Sequence, residues 1–477
     1  MNLSDQIIAD LKQQFRFKSD KGNWLQQGQC PQCDKWEAFC AAEDPKVVKC
    51  GRFSCGWEDS VRNLLPDLFE DWTRRAPPTD VNPTATVDAY LSVERGLDLA
   101  ALKGLYTQEY YKDHKTGHGS TTVRFQLENN SYWERIIDRP GRFKRKANFK
   151  YGSNWSGWWW SPPEVSYDKL AMASDIWLAE GIFDAQSLRQ AGLDAVSLMS
   201  INNYPEHALA LLRKAVADGK RPNSPPRLVF AFDVGAPAVS ATRNFIKRAA
   251  KEGWDVTAAQ VRPDGEGSKL DWNDLWLRHA KWRGAPEDAP FSPEKIDEYL
   301  WNGAVTIAKT PREKAKLIRD RKSLANFDFR HGNRLFWAKT TYDEDQKPEL
   351  QVTEIANCAF RILYREWEEV RDEANYFIQI DFPEGVKSEK RRFSNSACTN
   401  SAEFKKRLFA FRGMWSGTGE QLDRLMRRQT KKIKTVEPIA FTGYSAAHRA
   451  WVLGDLAVRD GRVIEVNNEN YFDLGKS

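Results

Sequence analysis

Four cysteines form two close pairs, Cys30-Pro-Gln-Cys33 and, after sixteen intervening residues, Cys50-Gly-Arg-Phe-Ser-Cys55. Two thiolate pairs at that separation suit one tetrahedral zinc ion in a closed structural site of the ribbon kind, which contributes directly to folding. Cys40 lies outside either pair. The site would carry Lys35, Trp36, Arg52, Phe53 and Trp57 on one small surface, a mixture of charge and aromatic area able to touch single-stranded DNA. Zinc ribbons are common, so the rest of the chain must say what this one serves.

A second constellation is acidic. Glu180 follows the apolar run IWLA, and Gly181 lets the chain turn into a helix that carries Asp184. Fifty-three residues beyond Glu180, RLVFAFDVG places Asp233 at the end of another apolar run, and LDWND supplies Asp271 and Asp274. In an open parallel sheet the carboxyl ends of the strands converge on one crevice, where Glu180 and Asp233 could face each other. Several carboxylates there repel one another unless a cation sits between them, and Mg²⁺ or Mn²⁺ prefers such oxygen ligands. Glu180, Asp233 and Asp271 are the expected ligands, with Glu180 alternatively a proton-transfer group; each acid alone also reads as a helix cap or a surface residue. A metal so held would neutralise phosphate charge and activate an attacking hydroxyl.

Between the two regions lies RPGRFKRKANFKYGSNWSGWWW, where Arg139, Arg142, Lys144, Arg145, Lys146 and Lys150 alternate with Phe143, Phe149, Tyr151 and Trp155. Cationic side chains neutralise phosphate and aromatic faces stack on bases, so this segment is a candidate template groove. Of Trp158, Trp159 and Trp160, at least one must pack inside, because adjacent residues on a strand face opposite ways. A second basic run, Leu422 to Lys434, has helical spacing and reads either as a backbone-following helix or as a solvated face.

These residues need elements to hold them. The 477 residues, 29% charged and 41% apolar, imply several soluble domains, and the formal charge of +6 is too modest to prove nucleic-acid binding. The expected organisation is multidomain α+β and α/β: a zinc ribbon over 1–62, a proline-marked linker over 63–86, a basic α+β subdomain over 87–165, an α/β domain with a mostly parallel sheet over 166–290, and an α+β domain over 291–477. Strands alternating with helices from DIWLAEG to DVTAAQV carry the parallel-sheet expectation. No apolar run approaches the roughly 20 residues of a membrane span, so a cytoplasmic protein without a membrane partner is expected. The terminal Gly475-Lys476-Ser477 lacks the first glycine of a phosphate loop, Asn470 standing there.

Glu180-Gly181-Ile182-Phe183-Asp184 and Asp233-Val234-Gly235 resemble the two signatures of the TOPRIM domain, Glu-Gly-x-x-Asp and Asp-x-Asp. With the ribbon before them, and with CGRFSCGW, YWERIIDRP, KLDWNDL and FTGYSAAHRAWVLGD, the chain resembles phage and prophage zinc-ribbon TOPRIM primases, which are similar to bacterial primases and to the primase half of primase-helicases. The resemblance covers nearly the whole chain. It implies a DNA primase of a bacterial host cell's cytoplasm, making short RNA primers from ribonucleoside triphosphates on single-stranded DNA. One structural Zn²⁺, catalytic Mg²⁺ or Mn²⁺ and a replicative helicase, fused or separate, are implied with it. It also implies that the basic subdomain grips template and nucleotide, with Lys146 and Lys150 foremost beside Arg142 and Lys144. The chain departs from the pattern at Gly235, where the family has a second aspartate. Two alternatives follow: a catalytically weakened DNA-binding or helicase-loading protein, and a TOPRIM nuclease.

Overall fold

The computed structural model describes residues 3–465 apart from 22, 44, 53–54, 220–224, 234, 262–269, 369–372, 384–385, 432, 437–442, 446–449, 454–455 and 460–461. Phe53, Val234, the Gly475-Lys476-Ser477 tail and parts of FTGYSAAHRAWVLGD lie outside the described residues. The chain divides into two compact units, 1–307 and 308–477.

The first unit begins with helix Leu3–Phe15, whose Ile7, Leu11 and Phe15 pack with Leu25, Cys40 and Val48 on a five-stranded antiparallel sheet. A second antiparallel sheet, Tyr106–Lys112, Gly119–Leu127, Ser131–Ile136 and Ala147–Phe149, runs as a simple meander. The stretch 63–86, expected as a linker, instead carries the short helices Pro66–Glu70 and Trp72–Arg75. Trp72 explains the difference: it is buried with Tyr90, Leu91 and Phe125 in one core, so this proline-marked stretch is packed rather than spacing.

The parallel expectation is realised in a four-stranded sheet: β1 (Asp175–Ala179), β2 (Ala195–Ser197), β3 (Arg227–Ala231) and β4 (Val256–Ala258). The order is β2-β1-β3-β4 and all three pairings are parallel. The strands read as continuous apolar runs because both faces are covered. Ile176, Leu178, Leu228 and Phe230 face helices α1 (Tyr167–Met172), α3 (Glu206–Asp218) and α4 (Ala236–Lys251), while Trp177, Ala179, Val229 and Ala231 face α2 (Ile182–Gln190), α5 (Trp272–Ala280) and α6 (Pro293–Ile307).

Helix α6 corrects the expected boundary at 290/291, because it belongs to the first unit. A Cβ on Gly303 would come within 1.9 Å of the Ala258 carbonyl oxygen, so only glycine lets α6 lie backbone-close on β4. The second unit is α+β, with mostly antiparallel sheets and a core that includes Phe360, Ile378, Phe393, Phe404 and Trp415. Among the described residues no helix is long and apolar enough to cross a membrane.

Candidate functional site

The thiols are held by tight turns. Cys30 and Cys33 follow strand Trp24–Gly28, and Cys50 ends strand Val47–Cys50 with its N–H donating to the Trp57 carbonyl at 2.8 Å. All four sulfurs lie within 4.8 Å of one another, with Cys30 and Cys55 3.8 Å apart and Cys33 and Cys50 also 3.8 Å apart. A zinc ion with thiolates at about 2.3 Å demands a tetrahedron with edges of about 3.8 Å, so the four residues fit it. Burial first, with the neighbouring thiols adding to it, pushes Cys50 up to about 12, a thiol whose ionisation calls for a cation. Cys40 is not part of the cluster: it is buried in the helix–sheet core and burial pushes its thiol up to about 11. Of the aromatic residues expected on this surface, Trp36 is exposed with Lys18 Nζ 3.5 Å from its ring centroid, whereas Trp57 is half-buried against Phe15.

The acidic residues come together at the carboxyl ends of β1 and β3. Ala179 pairs with Ala231, so Glu180 and Asp233 leave neighbouring strands side by side. Strand order reverses between these two strands, the place where ligands bind in open parallel sheets. Asp184 lies in the first turn of α2, and Asp271 is the N-cap of α5. Gly181 has φ of −109°, extended backbone open to any residue. A Cβ there would stand 2.7 Å from Asp184 Oδ2, so a larger residue would push the Asp184 carboxylate from its place.

Their electrostatics interlock. Burial pushes the Asp184 carboxyl well above its usual range, and the carboxylates of Asp271 and Asp233 push it further. Burial and then the Asp271 charge raise Glu180. Burial also raises Asp271, opposed first by the hydrogen bond it accepts from the Asp274 N–H and then by Arg95, while the Asp274 charge adds to the rise. The acids thus share one field with too little positive charge, an arrangement suited to a hard divalent cation. They are gathered less tightly than the thiols, which among the described residues are the only group of three or more with ligand atoms so close. Asp274 has a structural task besides: its carboxylate accepts from the Asp271 N–H, while the Asp274 N–H donates to Asp271 Oδ1 at 2.6 Å, closing a capping box.

Helix α5 is fixed by residues that sequence reasoning passed over. Trp272 Nε1 donates to the Ala231 carbonyl at 2.9 Å, anchoring the helix to the end of β3. The Asn273 N–H donates to Asp184 Oδ1 at 3.1 Å, and its amide group donates to the Arg95 carbonyl at 2.8 Å and Ser187 Oγ at 3.0 Å. Arg95 returns a bond to Asn273 Oδ1 at 3.3 Å and donates to Tyr90 Oη at 2.7 Å, which brings a guanidinium to the acidic crevice. Asn273 stood inside LDWND and was legible there as a polar residue between two acids; nothing near Arg95 in the sequence marks it.

The basic segment divides its labour differently from the simple alternation. Lys144, Arg145, Lys146 and Lys150 are exposed, and Lys150 Nζ donates to the Asn130 carbonyl at 2.8 Å. Arg142 is exposed with Nη2 3.3 Å from the Gly119 carbonyl, whereas Arg139 pairs with Asp71 at 3.0 Å. Phe143 is buried, Phe149 stacks on Trp155 with centroids 4.2 Å apart, and Tyr151 stands fully in solvent. Trp159 and Trp160 are both buried. The run beginning at Leu422 is a packed helix: Leu422, Leu425 and Met426 are buried, Arg427 pairs with Asp423 at 3.0 Å and Arg428 with Asp328 at 2.7 Å. Lys432 within that run lies outside the described residues.

No protein-family model matches the chain, and no curated protein matches it in sequence. Solved structures to which it is similar include domains of bacterial primases. They include the RNA polymerase domain of Mycobacterium tuberculosis primase DnaG, at 17% identity and TM-score 0.35, covering 55% of this chain and 95% of that one. The zinc-binding and RNA polymerase domains of the Aquifex aeolicus primase are similar at 12% identity and TM-score 0.30, over 68% of this chain and 98% of that one.

Proposed function

We propose that the chain is a DNA primase that synthesises short RNA primers on single-stranded DNA in phage or prophage replication, with the parallel unit as its TOPRIM domain. The observation that carries this reading is the meeting of Glu180, Asp184, Asp233 and Asp271 at the point where strand order reverses. Glu180, Asp233 and Asp271 would hold Mg²⁺ or Mn²⁺, and the bound ion would supply charge neutralisation at the phosphates. The 3′-hydroxyl of one ribonucleotide attacks the α-phosphate of the next, and pyrophosphate leaves. Exposed Lys144, Lys146 and Lys150 with Arg142 hold template and nucleotide phosphates. The thiol cluster holds one zinc ion, and the sheet around it, with Trp36 and Lys18 outward, engages template. A replicative helicase is the expected partner of such a primase.

Gly235 favours a second reading, a catalytically weakened DNA-binding or helicase-loading protein, because it withholds one expected carboxylate. Labelled ribonucleotides on mixed-sequence single-stranded DNA separate the two. Short RNA products that require Mg²⁺ or Mn²⁺ support the primase; DNA binding without products across many templates supports the second reading.

A further inference from the structure

Residues 387–412 of the second unit carry eight basic against two acidic residues, an excess equal to the formal +6 of the whole chain. The fold gathers part of this charge on one surface, around Phe411 and the helix that precedes it. Strand Glu389–Ser394 is an outer strand of its sheet, with Arg391 exposed on the side of Phe411 and Arg392 on the opposite side, where it pairs with Glu366. Helix Ser401–Phe409 turns Phe404 and Leu408 into the core and leaves Lys405, Lys406 and Phe409 in solvent.

Strand and helix are locked together. Arg407 Nη2 donates to the Arg392 carbonyl at 3.0 Å, and Glu389 holds both Arg391 at 2.8 Å and Arg412 at 2.6 Å. The guanidinium groups of Arg391 and Arg407 both lie over Phe411, 5.1 and 4.7 Å from its ring centroid. One carboxylate shared by two arginines leaves the surface positive, and side chains so fixed lose little further entropy on meeting a ligand. Phe409 is 69% exposed and stands four residues after Lys405, on the same helical face. A basic outer strand by itself guards against edge pairing. That role does not account for a large aromatic ring left in water beside the charge.

We propose that this face binds single-stranded nucleic acid, with phosphates against Lys405, Lys406 and Arg391 and a base stacked on Phe409. The combination of cationic groups and an open aromatic platform is what an unpaired strand needs and a stacked duplex cannot use. The inference is independent of the catalytic reading, since a chain that makes no primers could still bind here.

The test uses the full chain, a fluorescent thymidine oligonucleotide and a salt series, with Lys405→Gln/Lys406→Gln and Phe409→Ala variants and photocross-linking to an iodouracil-substituted strand. All three substituted residues are exposed, so the fold is preserved. Cross-links are expected within 387–412. The lysine variant should flatten the salt dependence by about 1.4, from about 0.7 per phosphate contact on single strands. Phe409→Ala should weaken binding about fivefold or more with the salt slope unchanged, the signature of lost stacking. Absence of cross-links in this segment, with affinity and slope unchanged in both variants, overturns the proposal. So does an equal loss of duplex and single-strand binding on Phe409→Ala.

Discussion

Asp184 is where sequence and electrostatics meet most closely. Its carboxyl is raised by burial and by two neighbouring carboxylates, and Glu180 and Asp271 are raised with it. A raised folded value means that stability is fully present below the unfolded value, about 3.9 for aspartate, and is lost as pH rises through the folded value. A divalent cation at the crevice removes that loss. Mg²⁺ should therefore raise the melting temperature more at pH 8 than at pH 5, with the difference shrinking in Asp184→Asn; equal shifts at both pH values would contradict a carboxylate site. Gly235 makes a second residue-scale prediction. Its φ of 165° is extended backbone, and an added Cβ would meet nothing nearer than Pro237 Cδ at 3.9 Å. Gly235→Asp should fold and lower the Mg²⁺ concentration needed for half-maximal activity, as read from a metal titration of primer synthesis. Glu180 and Asp233 were legible because acids after apolar runs advertise strand ends, and Asp184 because the turn at Gly181 leads into its helix. Arg95 was not, because its role arises from a hydrogen bond to a residue 178 positions away.

At the scale of elements, the parallel strands were legible because burial on both faces leaves uninterrupted apolar runs such as DIWLA and RLVFA. The short helices between 66 and 75 were hidden by Pro66, Pro77 and Pro78; Pro66 opens its helix, where a missing N–H costs nothing. The membership of α6 was hidden too, since Gly303 looks like any helical glycine until β4 is beside it. Helix α5 depends on Asn273, which is 1% exposed and bonds to Asp184 and Ser187 of α2 and to Arg95. Asn273→Ala should cost about 1–3 kcal/mol by leaving buried partners unsatisfied, visible as a lower urea midpoint. Activity should fall further than stability explains, because the side-chain bonds that tie α5 to Arg95 and Ser187 are lost and the Asp184 and Asp271 carboxylates are held less firmly. A lowered midpoint with a loss of activity larger than the unfolded fraction explains would fit that role; an unchanged midpoint would not.

For the whole molecule, the proposed catalytic residues and the second basic surface belong to different compact units. The thiol cluster, the exposed lysines of 144–150 and the acidic crevice all belong to 1–307. A fragment of those residues should keep primer synthesis, while template affinity falls through loss of the 387–412 face; a fragment that folds but makes nothing would move part of the catalytic apparatus into the second unit. The net charge of +6 gave no hint of this division, because acidic residues elsewhere balance a strongly basic patch. The measurement that bears most directly on the central claim compares the intact, zinc-loaded chain with Glu180→Gln and Asp233→Asn in labelled primer synthesis with Mg²⁺ or Mn²⁺. Short RNA from the intact chain, reduced at least a hundredfold in both variants while their melting temperatures hold or rise, is the predicted result. RNA synthesis that survives both substitutions would contradict the assignment of the crevice between β1 and β3 as the catalytic site.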